Sequence, residues 1–218
     1  MMFYPAFLNL NGKRVVVIGG GRIAEHKVQL LVDCGAQVTV VSPVVTPQLE
    51  SLAVSNTIAL QRRRYEAGDC AGAFLVISAT DDPGLHKTVW EDAKRSGAIV
   101  NTVDETDLCD FIAPAIIQQG DVTVAILTNA KSPGLAAYLR QRLSGLIGPE
   151  YGELLNLLAD IRPEIRKRIS DVERRKELHY RIIESGVLPL LSSGDREGAE
   201  RLIRRVIEEY VQQEQPIR

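Results

Sequence analysis

The sequence predicts an α/β protein in three parts: a parallel-sheet domain over residues 1–113, a short strand–helix module over 114–149 and a helical domain over 150–218. Three observations carry this. Through the first half, short β-branched runs alternate with helical spacings, the pattern of right-handed βαβ units. Two strand-like runs near residue 120 then follow one another with no helix between them, as in a hairpin. Beyond Glu150 no strand pattern survives, and apolar residues recur only at intervals of three and four.

Taken in order, Arg14-Val-Val-Val-Ile18 is a continuous β-branched run, as expected of a strand buried on both faces. Gly19-Gly-Gly21 ends it. A helix is expected from Ile23 to Cys34, stopped by Gly35. Strands follow at Val38–Val41, Thr57–Gln61, Ala73–Ser78 and Ile99–Asn101, with a helix from Pro83 to Ser96 before the last. Ile112–Ile117 and Val122–Leu127 form the hairpin candidate around Gln118-Gln-Gly-Asp121. Ser132-Pro-Gly opens a helix with Ser132 as N-cap and Pro133 at its first position. In the tail, Leu154, Leu158, Ile161, Ile165 and Ile169 form one helical stripe interrupted by Pro163, and Ala199 to Val211 forms a second.

Composition narrows the function classes. The chain has 26 Lys or Arg against 28 Asp or Glu, a net charge of -2, so no global field draws it to nucleic acid or membrane. Cys34, Cys70 and Cys109 match no metal or CxxC spacing and read as reduced, buried thiols. Met1 to Leu10 lacks the pattern of a signal peptide, and no apolar run is long enough to span a bilayer. A cytoplasmic protein is expected. His26, His86 and His179 have no metal-ligating partners in the pattern and read as surface residues; no metal site is expected.

Gly19-Gly20-Gly21-Arg22-Ile23-Ala24 fits G-x-G-x-x-A directly after a strand and at the start of a helix. In that Rossmann-like setting Gly19 permits the tight turn, Gly21 lets a pyrophosphate approach the backbone, and Ala24 lets helix and strand pack closely. Amides near Arg22 and Ile23 would face the phosphate with the positive end of the helix dipole. The acidic residue that usually takes the ribose hydroxyls at the second strand's end is replaced by Ser42-Pro43-Val44. No arginine stands there to meet a 2′-phosphate, which favours NAD over NADP.

The run Val17-Ile-Gly-Gly-Gly-Arg-Ile-Ala-Glu-His-Lys27 resembles the precorrin-2 dehydrogenase (siroheme synthase N-terminal) family. So do Ser78-Ala-Thr-Asp-Asp82, Asn101-Thr-Val-Asp104, Phe111-Ile-Ala-Pro-Ala115 and Ser132-Pro-Gly-Leu135, in the family's order and spacing. The resemblance implies NAD-dependent oxidation of precorrin-2 to sirohydrochlorin, toward siroheme and in some organisms cobalamin. It also implies a homodimer intertwined through the middle module. Some members also insert ferrous iron, so Fe²⁺ or Co²⁺ as a substrate is the bifunctional alternative. Position 86 is His where the family more often has Asn. A non-catalytic module that senses NAD would explain the glycine turn and the tail but not the later motifs.

The family places an essential Asp at the position of Asp104, which follows the fifth strand, at the carboxyl edge where open α/β sheets bind ligands. A carboxylate there can take the proton that accompanies hydride loss. Asn101 is a neighbour for Asp104 or the cofactor. Thr80 and Asp81 are candidates at the nicotinamide ribose, with helix capping as the alternative for Asp81 and Asp82. A tetrapyrrole bearing eight carboxylates needs cations. Lys131, Ser132 and Arg140 are the first candidates, followed by Arg142, Arg166-Lys-Arg168 and Arg174-Arg-Lys176. Each basic cluster, Arg62-Arg-Arg64 included, also suits a solvated surface.

Overall fold

In the computed structural model the described residues are 3–213. Among them the chain forms seven strands and eight α-helices, grouped in two compact units: Met1–Ala113 with Asn129–Lys131, and Pro114–Thr128 with Ser132–Arg218.

The first unit is a wholly parallel sheet of order β3-β2-β1-β4-β5, built from β1 (Arg14–Ile18), β2 (Gln37–Val41), β3 (Ala59–Gln61), β4 (Leu75–Ser78) and β5 (Ile99–Thr102). The chain winds outward from β1 to β3, then returns to the other side of β1 as β4. This reversal opens a crevice at the strands' carboxyl ends, where such sheets take ligands.

The uninterrupted apolar runs of β1 and β4 follow from burial on both faces. Val15 and Val17 face a core completed by Ala24, Val28 and Leu31 of α1 (Arg22–Asp33) and Leu49 of α2 (Pro47–Val54). Val16 and Ile18 face the opposite core with Val89 and Ala93 of α3 (Pro83–Arg95). Each fully buried valine contributes roughly 1.5–3 kcal/mol.

The helix α2 is absent from the sequence expectation. Its signals are present: Thr46 caps it by accepting the Leu49 N–H at 3.3 Å, and Pro47 occupies its first turn. Its low apolar contrast, with Leu49 its one buried side chain, hid it.

Two further expectations need correction. Cys34 is exposed, because as the C-cap of α1 it sits past the helix's last buried turn, whereas Cys70 is buried. His86 is a buried residue, on the stripe of α3 that also carries Val89 and Ala93.

The loop between β3 and β4 is held by a polar knot. Asp92 accepts from the Tyr65 hydroxyl, the Gly68 N–H at 2.9 Å and Arg95 at 3.5 Å. Burial alone would raise its pKa, but these bonds outweigh it and hold the carboxylate below its usual range. Arg63 holds Asp69 low in the same way. Burial pushes the adjacent Cys70 thiol up to about 11.

In the second unit β6 (Ala115–Gln119) and β7 (Val122–Ile126) pair antiparallel around Gly120, whose φ is +57°. α4 (Pro133–Ser144) starts at Ser132, whose hydroxyl accepts the Leu135 N–H at 3.2 Å. α5 (Pro149–Arg168) passes the hairpin so closely that a Cβ at Gly152 would lie 2.6 Å from the Gln119 carbonyl oxygen. Pro163 stands inside α5 on its exposed side and does not end it. Leu154, Leu157 and Ile165 of α5 share a core with α6 (Val172–Glu184), α7 (Val187–Ser192) and α8 (Arg196–Gln212).

Because Asp69 and Asp92 have depressed folded-state pKa values, their stabilisation is present above the ordinary carboxylate pKa of about 4 and is lost as pH falls through the lower folded values. Asp92→Asn is expected to cost about 1–3 kcal/mol at neutral pH in urea unfolding. The deficit relative to wild type should shrink at pH 3; a deficit that stays constant with pH would contradict this account.

Candidate functional site

The end of β1 sits between two neighbouring strand exits. The Gly19 N–H donates to the Val41 carbonyl at 3.0 Å, the Ala79 N–H to Ile18 at 2.8 Å, and the Thr46 N–H to Gly20 at 3.0 Å. Gly19 has φ +116°, and a Cβ there would collide with the Ala79 carbonyl. At Gly20 it would collide with the Val44 carbonyl. Only glycine fits either place. Gly21 differs: a Cβ there meets nothing within 4 Å and would project into open space.

Gly21 is the N-cap of α1 and has no side-chain cap. The first intrahelical bond runs from the Glu25 N–H to the Gly21 carbonyl at 3.0 Å. The amides of Arg22, Ile23 and Ala24 therefore precede the helix ladder and present donors at the dipole's positive end. This donor set fits a pyrophosphate, and the open space at Gly21 leaves it room.

These residues open onto a cleft of about 810 Å³. Its wall runs from Gly19–Ile23 past Ser42–Thr46, then across Ala79–Asp81 and Pro83 to His86 and Val103–Glu105. Nine of the sequence candidates thus share one cavity: Gly19, Gly21, Arg22, Ile23, Ser42, Pro43, Val44, Thr80 and Asp81, with Asp104 as a tenth. Two details refine them. The Ser42 hydroxyl donates to the Val44 carbonyl at 2.6 Å, so its hydrogen serves the turn and only its oxygen remains as an acceptor. Asp82 is the N-cap of α3, accepting from Gly84 at 2.9 Å and Leu85 at 3.3 Å, whereas Asp81 is exposed on the cleft wall.

Asp104 leaves β5 with φ +63°, in the left-handed region that Asp tolerates better than most residues. Its carboxylate makes no hydrogen bond among the described residues and is exposed. The segment around it is tightly held. The Val103 N–H donates to Ser78 at 2.9 Å and the Thr102 N–H to the Cys109 sulfur at 3.1 Å, while Asp110 takes the Val100 N–H at 3.0 Å and Lys94 at 2.7 Å.

Asn101 is part of this support and does not line the cleft. Buried, it accepts from the Lys27 ammonium at 3.2 Å and donates to the Phe111 carbonyl at 3.0 Å. Burial lowers the pKa of Lys27, partly offset by the charges of Cys109 and Asp104. No sequence motif singles out Lys27, which stands one turn beyond Ile23 on α1 and whose contact with Asn101 only the fold creates.

Lys131, Ser132 and Arg140 line neither of the two cavities described here; Ser132 is engaged as the α4 cap and Arg140 is exposed. Within the helical unit a groove of about 590 Å³ between α5 and α6 is bordered by Arg162, Arg166, Arg175 and Lys176. Arg168 is instead paired with Glu164 and Glu208, and Arg174 lies over the Tyr210 ring at 5.5 Å. Among the described residues no His, Cys, Asp and Glu side chains gather into a set able to hold a metal ion, and no helix is long and apolar enough to cross a membrane.

A parallel sheet with a glycine turn at its reversal point, an uncapped helix N-terminus and a long cleft along the strand exits defines a dinucleotide-binding protein. Residues 6–115 match the family model described as putative NAD(P)-binding, and residues 150–207 match the sirohaem synthase dimerisation region. The chain belongs to this NAD(P)-binding family, on the branch that joins it to that dimerisation region. It is 38% identical over 216 residues to a siroheme synthase of Methylococcus capsulatus, covering 99% of this chain and 46% of the relative. It is 37% identical over 208 residues to that of Thioalkalivibrio sulfidiphilus, covering 95% and 42%. The chain thus spans just under half the length of these curated relatives. Among solved structures, SirC, a precorrin-2 dehydrogenase, superposes with a TM-score of 0.74 at 25% identity, covering 93% of this chain and 100% of that one.

Gly21→Val is expected to lower the melting temperature only slightly, as a poorer N-cap in open space, while weakening NAD binding at least about tenfold, a cost of roughly 1.4 kcal/mol or more. Gly19→Ala should instead destabilise the fold. Calorimetric titration and thermal melts separate the two. Unchanged affinity in Gly21→Val would place the ligand elsewhere.

Proposed function

We propose that the chain is an NAD-dependent dehydrogenase that oxidises precorrin-2 to sirohydrochlorin in siroheme formation. The observation that carries this is the position of Asp104, an unbonded carboxylate on the same cleft as the glycine turn. The substrate comes from the relatives, named as siroheme synthases and a precorrin-2 dehydrogenase.

In this reading the amides from Gly21 to Ile23 hold the pyrophosphate, Ser42, Pro43 and Val44 flank the adenosine ribose, and Thr80 and Asp81 border the nicotinamide side. The lining from Ser42 to Thr46 carries no Lys or Arg, which suits the free ribose hydroxyl of NAD over the 2′-phosphate of NADP. When bound, the cofactor supplies the hydride acceptor. Asp104 takes the proton released as the second hydrogen leaves the macrocycle as hydride, so two electrons and two hydrogens are accounted for. The Lys27–Asn101 bond and the Cys109 contacts hold the Asp104 segment at the cleft. Lys131, Ser132 and Arg140 are proposed for the substrate carboxylates, and a homodimer is proposed from the match to a dimerisation region.

A bifunctional reading is favoured by the relatives named siroheme synthase. Here Fe²⁺ or Co²⁺ is a substrate, and Asp104 takes one of the two pyrrole N–H protons released as the metal enters, the other passing to water.

Asp104→Asn, which keeps a residue tolerant of positive φ, is expected to lower anaerobic NADH formation from precorrin-2 by about 10²- to 10⁴-fold. NAD affinity should fall by no more than about tenfold, the worth of one hydrogen bond or of one charge on the cleft rim, so the loss in turnover exceeds the loss in binding. Unchanged turnover would remove Asp104 from the mechanism. Iron insertion into sirohydrochlorin without NAD, abolished by the same substitution, supports the bifunctional reading; no insertion by the wild type excludes it.

A further inference from the structure

The dehydrogenase reading uses Asp104 and the glycine turn, but not the buried histidine between them. His86 lies on α3, is 6% exposed and lines the cleft. Its Nδ1 is 2.7 Å from the Ser78 hydroxyl at the end of β4. Ser78 is 0% exposed and its hydroxyl has no other partner. A buried hydroxyl must place its hydrogen on an acceptor, and His86 Nδ1 is the acceptor within reach. Ser78 therefore donates to Nδ1, and the ring proton stays on Nε2. That second nitrogen has no partner among the described residues, and no buried side-chain nitrogen or oxygen among them is unsatisfied. Nε2 is therefore open at the cleft wall, as a hydrogen-bond donor held in one tautomer.

The charges around it identify the acceptor. Asp81, Asp104 and Glu105 border the cleft at the β4 and β5 exits beside His86, whereas Arg22 and the α1 amides stand at the β1 exit. Three acids, only one of them within the field of the Lys27 ammonium, make this part of the cleft favourable to a cationic ring. Resting on the dinucleotide-binding reading, we infer that His86 Nε2 donates to the carboxamide oxygen of the cofactor's pyridine ring, and that the acidic rim selects the positively charged, oxidised form. The cleft is thus polar along its length: positive for the diphosphate, negative for the pyridinium. Ser78 acts as a positioning residue through His86.

The test compares binding of NAD⁺, NADH and ADP-ribose, which lacks the pyridine ring, by calorimetric titration. His86→Leu is expected to weaken NAD⁺ binding roughly two- to tenfold, the worth of one hydrogen bond, and to leave ADP-ribose unchanged. His86→Asn should retain wild-type affinity within about twofold, as it keeps a donor. Wild type should bind NAD⁺ more tightly than NADH, with the ratio falling in Asp81→Asn. If His86→Leu does not fold, Ser78→Ala/His86→Leu removes the orphaned hydroxyl and serves in its place. Equal losses for NAD⁺ and ADP-ribose, or no loss for either, overturn the assignment of His86; NADH bound as tightly as NAD⁺ overturns that of the acidic rim. Wild-type protein that binds none of the three would instead overturn the dinucleotide reading itself.

Discussion

The whole site depends on how closely three backbones approach at the end of β1. The carbonyls of Ala79 and Val44 close on Gly19 and Gly20 from the flanking strand exits, leaving no space for a side chain. This contact brings the turns after β2 and β4 against the turn after β1 and sets the N-terminus of α1 at the carboxyl edge of the sheet. One residue further, at Gly21, the crowding ends and open space begins. Steric exclusion by the protein at two positions and a vacancy at the third together turn an ordinary strand–helix corner into a diphosphate cradle.

The chemistry at the far end depends on a different constraint. A left-handed aspartate on an exposed loop is costly to hold unless its surroundings over-determine it. Here the segment is tied at several points, through Val103 to Ser78, Thr102 to Cys109 and Asp110 to Val100. Lys27 and Asn101 join α1 to this support, so the helix that presents amides to the diphosphate also braces the acid. The two ends of the cleft are mechanically linked within one domain.

Much of this was legible in the sequence because it depends on local patterns. The β-branched runs of β1 and β2, the G-x-G-x-x-A turn and the Ser132-Pro133 helix start are set by residues within a few positions of each other, and the structure has them where the spacing puts them. Features set by contacts between distant elements were not legible. His86 is polar and reads as surface, but its partner Ser78 lies on a neighbouring strand end, and only the fold brings them to 2.7 Å. Asn101 reads as a cofactor neighbour, while its amide is occupied beneath the cleft by Lys27 and Phe111. Cys34 reads as buried because thiols usually are, but its place at a helix end exposes it. The helix α2 had legible caps and was hidden by its weak apolar contrast.

The account is tested most directly by a crystal structure of the chain with NAD⁺ bound. It requires the diphosphate oxygens within hydrogen-bond distance of the Gly21–Ile23 amides and the pyridine ring between His86 and the Asp104 carboxylate. A dinucleotide seated outside the β1 corner, or an Asp104 side chain directed into bulk solvent with the ring bound, would contradict it.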